Sequence, residues 1–179
     1  MQPDDRQDLH ARFLSLLARR KLLLPDGETT IYGLPAWREV PPSHKPQALQ
    51  DANNTQNHLV TCAFATPATG PDKCALWVEN VFAFLGIDLV GDSASTLYER
   101  FCPFTDTSQL LVGMIVATSV HPYGLGGAGY GHVGLYIGDG EVLDCAQGSV
   151  RRAPLDLWLS TYGIAAEPRW GWLGGLPLA

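Results

Sequence analysis

No stretch of this sequence approaches the roughly 18 consecutive apolar residues that a membrane-crossing helix needs, so no membrane span is expected. Basic residues are the minority, 12 Lys and Arg against 18 Asp and Glu, and the formal charge of -6 sets up a field that repels phosphate backbones and anionic membranes. Nucleic acid is therefore not an expected partner. Lys73, Arg151, Arg152 and Arg169 are the local groups that could hold an anion, and solvated surface charge is the plainer reading of each. Cysteine is sparse. The four residues Cys62, Cys74, Cys102 and Cys145 lie far apart with no CxxC pair, which excludes a dense disulfide framework and a zinc-ribbon spacing and leaves the redox compartment open. A zinc site joining cysteines to His132 would need ligands scattered over several elements. The N-terminus opens with Asp4, Asp5 and Asp8, and its apolar residues are interrupted by Arg12, Arg19, Arg20 and Lys21, which is not the layout of a signal peptide. No internal repeat is visible.

What is present is enough for one compact domain with an appendage: 179 residues, 46% of them hydrophobic. Leu9, Phe13, Leu16 and Leu17 recur at helical spacing between residues 5 and 20 and predict an amphipathic helix that docks on the domain. Prolines and glycines then break the chain from Leu24 to Asn57, although Tyr32 and Trp37 suggest that part of it covers the core. A soft boundary near His58 separates an N-terminal helical and loop-rich extension, residues 1–57, from a main domain, residues 58–179. In the latter, residues 75–85 are apolar apart from Glu79 and Asn80, as in a helix buried on most of its circumference. Residues 113–118 predict a short strand, residues 132–146 a hairpin turning at Gly138-Asp139-Gly140, and residues 154–161 a short helix led by proline.

Cys74 follows Thr69-Gly70-Pro71-Asp72-Lys73, which interrupts any regular element, and the apolar helix begins at once afterwards. A thiol at a helix N-terminus meets unpaired N–H groups and the positive end of the dipole, which stabilise a thiolate; Lys73 adds a positive neighbour. The amide of Cys74 is also placed to receive an oxyanion. Most free cysteines are small core residues, and Cys62 in its apolar run and Cys145 in the hairpin fit that description better; Cys102 is ambiguous.

In the first hairpin strand, alternation puts Val133, Leu135 and Ile137 on a core face and His132, Gly134 and Tyr136 on the other, so the glycine-flanked His132 is expected to face a cleft. A three-residue turn with Gly140 left-handed sends Leu143 and Cys145 to the core and sets Asp144 diagonally across from His132. A two-residue turn would instead oppose Gln147 to His132. The first register leaves no carboxylate in the core and is preferred, with Gln147 kept as the alternative orienter. Cys74 is then a nucleophile, His132 its general base and acid, and Asp144 the group that fixes the imidazole tautomer. Of the other histidines, His10 and His44 suit a surface, and His121 heads a glycine-rich stretch, Tyr123 to Gly131, that could be a lid or a plain connection.

These residues carry a family resemblance. Gly113-Met114-Ile115-Val116, the element His132-Val133-Gly134-Leu135-Tyr136-Ile137-Gly138-Asp139-Gly140, and Cys74-Ala75-Leu76-Trp77-Val78 followed by Leu85-Gly86-Ile87 resemble the strands and nucleophile helix of the NlpC/P60 family over roughly residues 60–158. The resemblance implies an α+β fold with a papain-like core, a nucleophile helix packed on an antiparallel β-sheet. It implies amidase or endopeptidase action on peptidoglycan stem peptides, a peptidoglycan or peptide partner, no metal or cofactor, and a bacterial or phage origin, with localisation left open between export and other delivery to the cell wall. Lys73, Trp77, His121 and Tyr130 are the residues expected to contact substrate. Asp144 stands where the family usually has His, Asn or Gln; Ala75-Leu76 replaces Ser-Gly; and the Tyr-x-x-Gly-Gly-like stretch ahead of the cysteine is missing. CHAP amidases are a close second on the same fold. A deamidase or transglutaminase-like acyl transferase shares the thioester chemistry, and a non-catalytic binding module would keep the fold with a cysteine out of reach of His132.

Overall fold

The computed structural model of the protein describes residues 52–89 and 92–179. The helix expected at residues 5–20, His10, His44 and the proline-rich chain up to residue 51 lie outside the described residues.

The chain enters the described fold through helix α1, Asn54–Ala65. It starts where Asn53 and Gln56 satisfy each other's backbone N–H groups, an amide-based capping box. The helix runs through His58, so the polar residues just before that position belong to it and are not irregular chain. Pro71 and Asp72 then turn the chain, Asp72 with φ of 59°, a left-handed conformation that short polar side chains tolerate. Helix α2, Cys74–Ala83, begins two residues later. It buries Cys74, Ala75, Trp77, Val78, Val81 and Phe82, which accounts for its nearly continuous apolar sequence. It stops at Gly86, φ 73°, with the Ile87 N–H bonded back to the Phe82 carbonyl at 3.3 Å. Helix α3, Ala94–Phe101, is capped by the Ser93 hydroxyl.

Strand β1, Ile115–Thr118, leads to the short helix α4, Gly124–Tyr130, and then to β2, His132–Gly138; β3, Glu141–Ala146; and β4, Ser149–Pro154. Helix α5, Leu155–Tyr162, and strand β5, Arg169–Gly171, follow. The strands form one antiparallel sheet in the order β4-β3-β2-β1-β5. The α+β expectation of a buried helix on an antiparallel sheet is met.

Both faces of this sheet are covered. Val133, Leu135, Ile137, Leu143, Cys145, Ile115 and Ala117 pack under α1, α2 and α3. On the other face Met114, Val116, Val142, Ala146 and Ala153 meet Trp158 and Tyr162 of α5 and Trp170 and Trp172. The hairpin register is the preferred one, Gly134 opposite Asp144 and Leu135 opposite Leu143, reached by an unexpected route. The turn closes tightly at Gly138 opposite Glu141, with Asp139 and Gly140 at φ 53° and 69°, and a bulge between Tyr136 and Gly138 absorbs the extra residue. The bulge restores the side-chain faces of the longer turn. Helix α4 replaces the expected loop. Its glycines disfavour a helix, yet the His121 N–H bonds the Gly127 carbonyl at 3.0 Å, and a Cβ on Gly127 would lie 2.4 Å from the His121 ring, so bare backbone is what allows this close packing.

Candidate active site

The N-terminus of α2 meets the start of β2 at a cavity of about 430 Å³ whose wall includes Cys74 and His132. The Cys74 thiol is close enough to the His132 ring there to favour its charged form. Across the imidazole, His132 Nε2 lies 2.7 Å from Asp144 Oδ2. With Nε2 engaged by the carboxylate, Nδ1 is the ring nitrogen left for the thiol. The structure thus brings Cys74 and His132 to one cavity wall and sets Asp144 against the His132 ring.

Each position has a structural cause. Cys74 is the first residue of its helix, held by the loop before it: the Thr69 hydroxyl donates to the Lys73 carbonyl at 2.7 Å and the Thr69 amide to Cys145 Sγ at 3.3 Å. His132 is the first residue of β2 and is paired with Thr118 of β1. Asp144 reaches it diagonally because Gly134, its direct partner across the strands, has no side chain.

Asp144 is 1% exposed and accepts from four donors. Besides His132 these are Arg151 Nε at 2.9 Å to Oδ1, Arg151 Nη2 at 2.7 Å to Oδ2, and Trp158 Nε1 at 3.1 Å to Oδ2. Burial pushes the Asp144 carboxyl up, but Arg151 and His132 outweigh it and hold the pKa at about 2. Burial works against a charged imidazole at His132, while Cys74 and Asp144 prevail and raise its pKa to about 9. Arg151, weighed from sequence as a surface cation or anion holder, is in fact buried and committed to Asp144. Its strand forms a tight hairpin with β3 through Gln147 and Gly148, which makes Arg151 the direct cross-strand partner of Asp144. That turn was the available signal for Arg151. Trp158 and Tyr162 carried none, because their places are set by how α5 folds back over the sheet.

His132 faces the cavity but is also packed, 5% exposed, with the Tyr162 ring stacked on it at a centroid distance of 4.2 Å. Gln147 lies in the β3–β4 turn on the cavity wall, and the ring nitrogen it was to orient is held by Asp144. His121 lines the cavity yet is only 7% exposed. Its Nδ1 accepts the Tyr123 N–H at 3.2 Å and its ring bonds the Gly131 backbone. Burial, then the neighbouring His132, lowers its pKa to about 3 and keeps it neutral. Lys73 and Tyr130 stand on the wall, Tyr130 well exposed at the mouth. Trp77 is a correction: it is completely buried, its indole N–H directed to the Thr66 carbonyl at 3.4 Å, and it is not part of the wall. Asp72, Glu79 and Asp92, which the sequence did not single out, are part of it. Cys62 and Cys102 are buried away from the cavity, and burial pushes the Cys102 thiol up to about 12. Cys145 is also buried in the core but borders the cavity. No helix among the described residues is long and apolar enough to cross a membrane.

No family model matches the chain, and no curated protein matches it. Solved structures do. The P60 domain of an antigen from M. avium subspecies paratuberculosis is 16% identical, with 66% of this chain and 93% of that one covered and a TM-score of 0.44. The peptidoglycan hydrolase RipB of Mycobacterium tuberculosis is 19% identical over 92% and 83% of the two chains, with a TM-score of 0.43. A hypothetical invasion protein of Mycobacterium tuberculosis is 20% identical over 83% and 77%, with a TM-score of 0.39. The chain resembles NlpC/P60 proteins.

Proposed function

We propose that this chain is a thiol hydrolase of the NlpC/P60 kind that cleaves an amide bond in peptidoglycan stem peptides. The observation that carries the proposal is that Cys74, at the head of α2, and His132 line one cavity, with Asp144 at 2.7 Å from the imidazole. A binding module that had merely kept the fold would have no use for this juxtaposition.

In the proposed cycle His132 Nδ1 takes the thiol proton, and the Cys74 thiolate attacks the substrate carbonyl carbon. The developing oxyanion is received by the free N–H groups at the start of α2, that of Cys74 among them. The imidazolium returns its proton to the departing amine as the C–N bond breaks. Water, deprotonated by His132, then clears the thioester. Asp144 holds Nε2–H throughout and stabilises the ring while it is charged.

The substrate class rests on the motif resemblance, and the chemistry on the site. The test is to incubate the purified chain and Cys74→Ala with peptidoglycan and, in parallel, with a glutamine-bearing protein, following new amines and ammonia by mass spectrometry and colorimetry. Stem-peptide cleavage by the wild type alone supports the proposal. Ammonia release or amine incorporation on the protein would move the assignment to an acyl transferase or deamidase, and equal turnover by Cys74→Ala would remove the thiol mechanism altogether.

A further inference from the structure

Four side chains from four elements close into a ring around the carboxylate. His132 of β2 bonds Asp144 of β3 at 2.7 Å. Arg151 of β4 grips both Asp144 oxygens at 2.9 and 2.7 Å, and the same Nη2 donates to the Tyr162 hydroxyl of α5 at 2.7 Å. The Tyr162 ring then lies on the His132 ring, centroids 4.2 Å apart and planes 27° from parallel, which returns the ring to its start. All four residues are buried.

We propose that Arg151 and Tyr162 are positioning residues for His132: Arg151 fixes the carboxylate that holds Nε2, and Tyr162, tied to Arg151, fixes the plane of the imidazole. This rests on the thiol hydrolase reading. A lone carboxylate on a strand turns about its last torsion, whereas a guanidinium fork matches its two oxygens and locks its plane. The fork leaves Oδ2 directed at Nε2, with Trp158 Nε1 on the same oxygen at 3.1 Å. Tyr162 offers its face to the imidazole and its hydroxyl to Arg151, so moving either ring strains the ion pair. A buried ion pair is seldom a good source of stability, since dehydrating both ions offsets their attraction. Its link to the base at both ends gives this one a different reason to be there.

The charged and titratable groups facing His132 are Cys74 from α2, Asp144 from β3, Tyr162 from α5 and His121 from the segment leading into α4, with Arg151 of β4 behind Asp144 and Tyr123 beside His121 and Tyr162. Arg151 is the permanent cation in this set. It keeps Asp144 ionised in a dry site, and an ionised Asp144 is what supports imidazolium beside a thiolate. Without Arg151, burial favours the protonated carboxyl, and the support lapses at a higher pH.

The experiment is the pH profile of Cys74 alkylation by iodoacetamide, which needs no knowledge of the substrate. It is run on the full chain as wild type, Arg151→Lys, Arg151→Met, Tyr162→Phe and His132→Ala, with folding checked by circular dichroism. Arg151→Met is expected to move the acid limb up by about one pH unit, about a tenfold slower reaction there, with rates converging with wild type at alkaline pH. Arg151→Lys, which keeps the charge and loses the fork, and Tyr162→Phe, which keeps the stack and loses the hydroxyl, are expected to shift it less in the same direction. If Arg151→Met does not fold, those two variants decide. Profiles that superimpose on wild type, or that fall equally at every pH as simple loosening would produce, overturn the proposal. Identical profiles for wild type and His132→Ala would instead overturn the thiol hydrolase reading, and the positioning roles with it.

Discussion

Gly134 and Asp144 face each other directly across β2 and β3, and a Cβ at Gly134 would lie 2.7 Å from both the Leu143 carbonyl oxygen and Val142 Cγ1. One of those obstacles is backbone, which cannot swing aside. Gly134→Ala should therefore push the two strands apart where Asp144 is set against His132. We expect a loss of about 1–3 kcal/mol in denaturant unfolding and a larger proportional loss of turnover, because the 2.7 Å contact of Asp144 with His132 depends on that spacing. Unchanged turnover in a destabilised Gly134→Ala protein would separate the strand spacing from the chemistry.

Asp144→Ala is expected to do more than slow the reaction. It strands the Arg151 guanidinium, which is 7% exposed, without the carboxylate that takes two of its hydrogen bonds. Breaking one side of a buried pair costs about 3–5 kcal/mol. A urea titration should show a loss of unfolding free energy of that size, while Asp144→Ala/Arg151→Met should recover much of the stability and none of the activity. A single variant as stable as wild type would mean that Arg151 finds water or another acceptor.

The titration of the pair gives a stability profile whose sign follows from the shifts. His132 is raised from 6.5 to about 9, so its contribution is complete below 6.5 and is lost as pH rises through about 9. Asp144 is lowered from 3.8 to about 2, so its contribution is complete above 3.8 and is lost as pH falls towards about 2. Melting temperature should be highest between those limits and fall on both sides. In His132→Gln the alkaline decline between 6.5 and 9 should flatten, and a decline of unchanged slope would assign it to other groups.

How much of this was legible in the sequence depends on whether one element suffices to place a residue. Cys74 could be placed because a proline-containing break and an apolar helix adjoin it, and His132 because strand alternation is local. Asp144 needed the turn geometry, and the preferred register holds, although a bulge rather than the turn alone secures it. Arg151 was read as surface charge because charge patterns assume solvated strands, and β4 instead turns a cation inward against a buried carboxylate. Helix α4 was unreadable for a related reason: its glycines follow from contact with His121, not from local preference. Trp77, expected to contact substrate, is three residues from Cys74 in sequence yet absent from the cavity wall. Its position within α2 directs it into the core.

Trp77 and Tyr130 lie at opposite extremes of burial. Trp77 is fully buried, so Trp77→Ala should cost about 3–5 kcal/mol in unfolding through the void it leaves. Tyr130 is 63% exposed on the cavity wall, so Tyr130→Ala should leave the melting temperature within about a degree of wild type, as surface changes generally do. If Tyr130 touches substrate, its loss raises KM severalfold with kcat little altered, because a group at the mouth contributes to binding before and during the reaction alike. The milder Trp77→Phe should show the reverse pattern, a lower melting temperature with KM unchanged. Steady-state kinetics beside thermal melts read both quantities from the same preparations, and a KM effect from Trp77→Phe without one from Tyr130→Ala would place the substrate deeper than the cavity wall does.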